Sequence, residues 1–199
     1  MSRAPDPKRR SARAREAILR ATRELLPETG FSRLTIEGIA ARAGVGKQTI
    51  YRWWPTKGAV VFDALLEHAG ATAEDRALPD TGDIGRDLHS VLRATVEELL
   101  DPDTDRLQRT ITAEIQHDPV LAEELVARLL RPQMQATADR LRAARDAGQL
   151  AADVDVDLAA ELLFGPLLHR WLLRTAPLDA RYADALVEQV LRGLSPRAE

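Results

Sequence analysis

Apolar residues recur three and four positions apart along almost the whole chain, and that period sets the class of fold. Ala17, Ile18, Ala21 and Leu25 mark one stripe, Ile84, Leu88, Val91, Leu92, Thr95 and Leu99 another, and Leu107, Ile111 and Ile115 a third. Residues so spaced share one face of an α-helix, because 3.6 residues complete a turn. No segment alternates apolar and polar positions for long enough to make a strand. Aromatics are only 4% of residues, while apolar residues reach 45%, mostly Ala, Leu and Val. Such residues suit helix seams rather than sheets. The chain therefore predicts an all-α fold of about nine helices, without internal repeats.

Local signals divide this run. Residues 1–10 are basic and Pro-interrupted and read as a disordered arm. A first helix spans about Arg13 to Pro27. Thr35 is placed to cap a second, whose buried face is Ile36, Ile39, Ala40 and Ala43 and whose end is Gly44. A third runs from about Gly46 to Trp54, and Thr56 caps a fourth that reaches about His68. These signals predict a small helical head over 11–56 and a larger helical domain over 57–199, with 57–68 connecting them. In that domain a long helix from Val120 to Ala147 contains Pro132, which should kink or restart it. Gly148 closes it, and helices over 158–174 and 179–193 complete the chain.

Charge separates the same two parts. Residues 1–60 hold 13 Lys+Arg against 5 Asp+Glu, and the remainder 15 against 26, although the whole chain carries only −3. A basic head on an acidic body points to an anionic partner for the head alone. Cysteine is absent, so disulfides and thiolate metal sites are excluded. The sequence shows no signal peptide and no apolar run of membrane-spanning length, so a cytoplasmic protein with no membrane partner is expected.

The second and third helices, joined by Ala43-Gly44-Val45, fit a helix-turn-helix. Ile50 and Trp54 fall on one side of the third helix and Lys47 and Tyr51 on another, flanked by Gln48 and Arg52. A face of Lys, Gln, Tyr and Arg carries donors and acceptors suited to base edges and phosphates. Thr49 and Trp53 lie between the sides, and spacing leaves Trp53 open between core and phosphate contact. Lys57, in the first turn of the fourth helix, stands where free backbone amides suit a phosphate. The basic run Lys8, Arg9, Arg10, Arg13 and Arg15 could reach a minor groove or attract DNA without specificity.

The stretch LTIEGIAARAGVGKQTIYRWWPTKGAVVFDALL resembles the DNA-binding segment of TetR/AcrR-family transcriptional regulators. The match rests on Thr35, Ile39-Ala40, Ala43-Gly44-Val45, Thr49-Ile50-Tyr51, the aromatic at Trp54, Pro55 and Lys57, and covers about residues 13–66. It implies phosphate contacts from Thr35, Tyr51, Trp53 and Lys57. Lys47, Gln48, Thr49 and Arg52 would lie in or at the major groove of double-stranded DNA. Gln48 and Trp53 depart from the residues usual in the family at their positions.

The resemblance also implies a homodimer on a pseudo-palindromic operator, and a repressor released by a small hydrophobic effector. A single module buries too little surface for tight specific binding, which again requires two copies. The last two helices are the candidate dimer interface: Leu163, Leu167, Arg170, Trp171 and Arg174 on one, Tyr182, Leu186 and Val190 on the other. Each helix could also serve its own core. An implied ligand cavity would draw on Leu88, Leu92, Thr95, Ile111, Ile115, Leu129, Met134, Phe164 and His169. The four histidines are isolated and no catalytic motif is present, so neither enzymatic activity nor a cofactor is expected. Asp153, Asp155 and Asp157 lack the glycine and glutamate of a calcium loop and read as a solvated loop with a cap. A helical ligand-binding or adaptor protein whose head has lost DNA reading is the alternative.

Overall fold

The computed structural model describes residues 7–68 and 78–196. Its helices are α1 (Pro7–Thr29), α2 (Ile36–Ala43), α3 (Lys47–Tyr51), α4 (Lys57–His68), α5 (Ile84–Leu100), α6 (Pro102–Glu114), α7 (Pro119–Leu125), α8 (Arg131–Asp146), α9 (Val156–Leu173) and α10 (Ala180–Leu194). A 3-10 turn, Phe31–Arg33, joins α1 to α2, and a π turn, Val126–Leu130, joins α7 to α8. Leu125, Leu130 and Arg131 all keep right-handed helical dihedrals, so α7, the π turn and α8 run on as one rod. Counted so, the described residues hold nine helices and no strand. None is long and apolar enough to cross a membrane.

Pro132 explains the π turn. It has no amide to give and its ring clashes with the carbonyl four residues back, so the preceding turn widens and α8 restarts with the proline in its first turn. The expected disordered arm needs correction where it is described: residues 7–10 already belong to α1, while residues 1–6 lie outside the described residues. Of the basic run, Lys8, Arg9 and Arg10 have side chains outside the described residues.

The described residues form two compact units, one within 7–68 and 102–123 and the other within 78–101 and 124–196. The first is larger than the head expected over 11–56. The reason is α4: Val60, Val61, Phe62 and Ala64 are all 0% exposed, buried where α4 packs on α1 and α6. A helix apolar on most of its circumference cannot serve as a bare connector. The core of this unit is completed by Ile18, Leu19, Ile39, Ile50, Leu107 and Ile111.

The second unit packs α5, α8, α9 and α10 around Leu88, Leu92, Leu141, Leu163, Leu167 and Val187. One ion pair is buried inside it. Asp87 on α5 is 0% exposed and accepts from Arg140 of α8 at 3.0 Å (Nε) and 2.6 Å (Nη2). Thr81 gives the same carboxylate its backbone amide at 3.2 Å and its hydroxyl at 2.7 Å. Burial pushes the Asp87 carboxyl up, but the Thr81 and Arg140 hydrogen bonds outweigh it and hold the group below the ordinary carboxylate range. The Asp155 carboxylate caps α9 by accepting from Asp157 and Leu158 amides at 3.1 and 3.0 Å, the capping expected of that acidic loop.

Candidate nucleic-acid interface

Thr35 begins the site. Its extended backbone turns the chain into α2, and its hydroxyl accepts the Gly38 amide at 3.0 Å, satisfying one of the helix's free donors. Gly44 ends α2 at φ 67°, ψ 33°, a left-handed conformation that side chains with a Cβ resist. The Val45 amide then reaches back to the Ala40 carbonyl at 3.0 Å. This closed turn sets the direction in which α3 leaves. Regular α3 stops at Tyr51 rather than Trp54, but Trp53 and Trp54 both donate to the Ile50 carbonyl, at 2.9 and 3.0 Å, so a tightened turn carries the helical path to Trp54.

The expected division of α3 is met. Ile50 is 0% and Trp54 3% exposed, whereas Lys47, Gln48, Tyr51 and Arg52 are exposed and share the outer surface. Lys47 lies 3.7 Å from Glu37 of α2, a loose pair that a phosphate could displace. Thr49 is half-buried between the two sides. Trp53, which spacing left open, is also half-buried: its ring meets Trp54 edge-on at 5.4 Å, and the Arg52 guanidinium lies 4.8 Å from its centroid.

Lys57 has partners of its own. Its ammonium donates to the Phe31 carbonyl at 2.8 Å and the Leu34 carbonyl at 3.3 Å, and stands 4.2 Å from the Phe31 ring. It therefore clasps the turn that leads into Thr35, with one donor of its three left over. One supporting residue, Asp63, escaped the sequence reading, and Arg15, read there as part of the basic run, is its ion-pair partner. Asp63 of α4 accepts from the Trp54 indole at 3.0 Å and from Arg15 of α1 at 2.9 Å. A single carboxylate inside the apolar run AVVFDALL was the available signal, since such a group needs a buried partner.

The other expected sites fare differently. Leu163 and Leu167 are 0% and Trp171 5% exposed within a single chain, so these three cannot be the interface with a second copy. Tyr182, Leu186 and Val190 pack partly buried on the same core, and Arg170 lies over the Tyr182 ring at 3.4 Å. Arg174 is exposed at the α9 C-terminus with φ 53°. The outward side of α9 instead exposes Leu158, Leu162, Leu168 and Leu172, with Leu173 beside them. Among the ligand candidates Leu88, Leu92, Phe164 and Met134 belong to one core cluster, and Thr95 bonds back to its own helix at Val91. Ile111 is buried in the first unit with Ile115 half-buried on the same segment, and Leu129 is half-buried in the π turn. His169 is exposed and lines no core. Among the described residues no group of three or more His, Asp or Glu could hold a metal.

A capped helix, a left-handed glycine turn and a short helix with a polar, basic outer face define a helix-turn-helix DNA-binding protein. Residues 18–64 match the model of the bacterial regulatory proteins of the tetR family, and residues 78–190 that of the tetracyclin repressor-like C-terminal domain. The chain belongs to the TetR family and is a helix-turn-helix transcriptional regulator. It is 33% identical over 181 residues to the uncharacterised HTH-type transcriptional regulator YdeS of Bacillus subtilis, covering 90% of this chain and 88% of the relative. It is 30% identical over 178 residues to the DNA-binding transcriptional repressor TetR of Mycobacteroides abscessus, covering 88% and 90%. The crystal structure of the TetR family transcription regulator SCO0332 superposes with a TM-score of 0.72 at 37% identity, covering 92% of this chain and 99% of that one.

Proposed function

We propose that the protein is a cytoplasmic repressor that binds a pseudo-palindromic operator as a homodimer and leaves it when a small hydrophobic molecule binds the C-terminal helices. The observation that carries DNA reading is the exposed Lys47, Gln48, Tyr51 and Arg52 surface on an α3 whose other side is locked into the core. Thr35, Tyr51 and Lys57 are assigned to the backbone, which positions, and Lys47, Gln48, Thr49 and Arg52 to base edges, which specify; Trp53, half-buried between Trp54 and Arg52, is assigned to neither. A mobility-shift assay on the promoter region beside its own gene tests this; no shift at low salt overturns it in favour of a helical binding protein that reads no DNA.

The dimer reading is supported by the leucine stripe of α9. Leu158, Leu162, Leu168 and Leu172 are 42–53% exposed along one side of an 18-residue helix. Four exposed leucines on one side of a helix, with Glu161, Gly165 and His169 among them, fit an association surface with a polar admixture. Binding of a pseudo-palindrome requires the two α3 helices of a dimer about one helical turn of DNA apart, 34–36 Å, or a multiple of that. Sedimentation of the Leu162→Glu, Leu168→Glu double variant should give a monomer. For the effector, the support is the apolar character of the cluster holding Leu88, Leu92, Met134 and Phe164. Release needs the effector to favour the DNA-incompetent state by a coupling of about 1–3 kcal/mol.

A further inference from the structure

We propose that Arg52 is the principal base-reading group of this protein and that Trp53 is the platform that orients it, held in turn by Trp54 and Asp63. This rests on the reading that the outer surface of α3 enters the major groove.

The four groups form one continuous set of contacts. Asp63, 7% exposed on α4, accepts the Trp54 indole N–H at 3.0 Å and the Arg15 guanidinium at 2.9 Å through the same oxygen. That bond leaves the buried Trp54 ring one orientation. Trp53 abuts it at 5.4 Å with an interplanar angle of 78°, the edge-to-face geometry that aromatic quadrupoles favour. The Arg52 guanidinium then sits 4.8 Å from the Trp53 centroid. Among the described residues Arg52 has no carboxylate partner, whereas Lys47 beside it has Glu37.

The chemistry follows from what a free arginine lacks. Its long side chain is disordered in water, and ordering it on DNA subtracts from the affinity that its hydrogen bonds return. A guanidinium already laid on an aromatic face has lost most of that freedom. Stacking uses the guanidinium face and leaves its in-plane N–H fork available, the fork that matches guanine O6 and N7. A planar π face is required; apolar bulk alone would leave the guanidinium unheld. Trp53 is then a positioning residue rather than a phosphate contact. Because the set is anchored on α4, any displacement of that helix reaches the reading group through Asp63 and Trp54.

The test uses the full chain and a library of randomised duplexes. The best duplex enriched by the wild type, and its single-base-pair variants, are then titrated by fluorescence anisotropy at two salt concentrations. Arg52→Ala should lose discrimination at one base pair of each half-site by roughly tenfold. Trp53→Leu, which keeps apolar bulk against Trp54, should lose the same discrimination at the same base pair, and Trp53→Phe should retain most of it. Arg52→Ala with Trp53→Leu should be no worse than Arg52→Ala alone. Should Trp53→Leu fail to fold, Trp53→Met makes the same comparison. The inference is overturned if Trp53→Leu weakens every duplex equally and lowers the salt slope by about one, the behaviour of a phosphate contact. It is likewise overturned if Arg52→Ala leaves all base preferences intact. A wild-type chain that enriches no sequence overturns the DNA-reading assignment itself and this inference with it.

Discussion

Asp87 offers the most quantitative handle on the second unit. Its carboxylate is 0% exposed, and Arg140, its partner, has a side chain only 5% exposed. Asp87→Ala strands a buried guanidinium and the Thr81 donors. Breaking one side of such a pair costs about 3–5 kcal/mol, because the remaining charge stays desolvated. Arg140 retains the Pro79 carbonyl and the exposed Asp80 carboxylate, each at 3.3 Å, which places the expected loss near the lower end, about 3 kcal/mol. For a chain of this size that is a fall in Tm of roughly 6–12 °C. Urea unfolding followed by circular dichroism measures it. Replacing both partners, Asp87→Leu with Arg140→Met, removes the unpaired charge and should recover stability to within about 1 kcal/mol of wild type. The pH dependence has a definite sign. A carboxyl held below its unfolded value stabilises the fold above that value, and the contribution fades as pH falls through the folded value. The gap between wild type and Asp87→Ala should therefore narrow below about pH 4, by about 1 kcal/mol per pH unit. An Asp87→Ala variant within 1 kcal/mol of wild type at pH 7, or a double variant no more stable than the singles, refutes this account.

Gly44→Ala forces a Cβ into a left-handed turn at φ 67° and should destabilise the first unit by about 1–2 kcal/mol, read by denaturation, with weaker operator binding. Thr35→Ala should cost about 1 kcal/mol through the lost Gly38 cap, while Thr35→Ser, which keeps the hydroxyl, should not; thermal melts of the two variants decide. Asp184 is lowered to about 2, first by the Arg93 hydrogen bonds and against the opposing effect of burial, with His89 assisting at 2.9 Å. Its stabilisation is present above the ordinary carboxylate value and is lost as pH falls toward 2, so Asp184→Asn should flatten that part of the acid limb, and added salt should mimic it because the group is partly exposed.

The head was legible because its determinants are local. A hydroxyl three residues before a free amide, and a glycine where the chain must turn left-handed, act over a few positions and are visible in the letters themselves. Ile50 and Trp54 against Lys47 and Tyr51 followed from helical spacing alone. What stayed hidden depends on distant partners. Asp63 with Arg15 and Asp87 with Arg140 are separated by 48 and 53 positions, and no period connects them. Their trace is a carboxylate standing in an apolar stripe, which shows that a partner exists without showing which. Lys57 is similar: helix position implied a phosphate, and nothing in the spacing pointed to the carbonyls of Phe31 and Leu34 that two of its donors meet.

The α9 helix shows why periodicity selected residues that the core buries. Leucines lie on both of its sides, so a period of 3.6 finds two stripes and cannot choose between them. The choice is made by tertiary packing: Leu163, Leu167 and Trp171 meet α8 and α10, and that leaves Leu158, Leu162, Leu168 and Leu172 outside. Neighbouring leucines of identical chemistry therefore have opposite roles. Leu163→Ala and Leu167→Ala open cavities in the fold itself, at about 2–5 kcal/mol each, whereas changes at Leu162 and Leu168 should leave the monomer folded and act only on the proposed association.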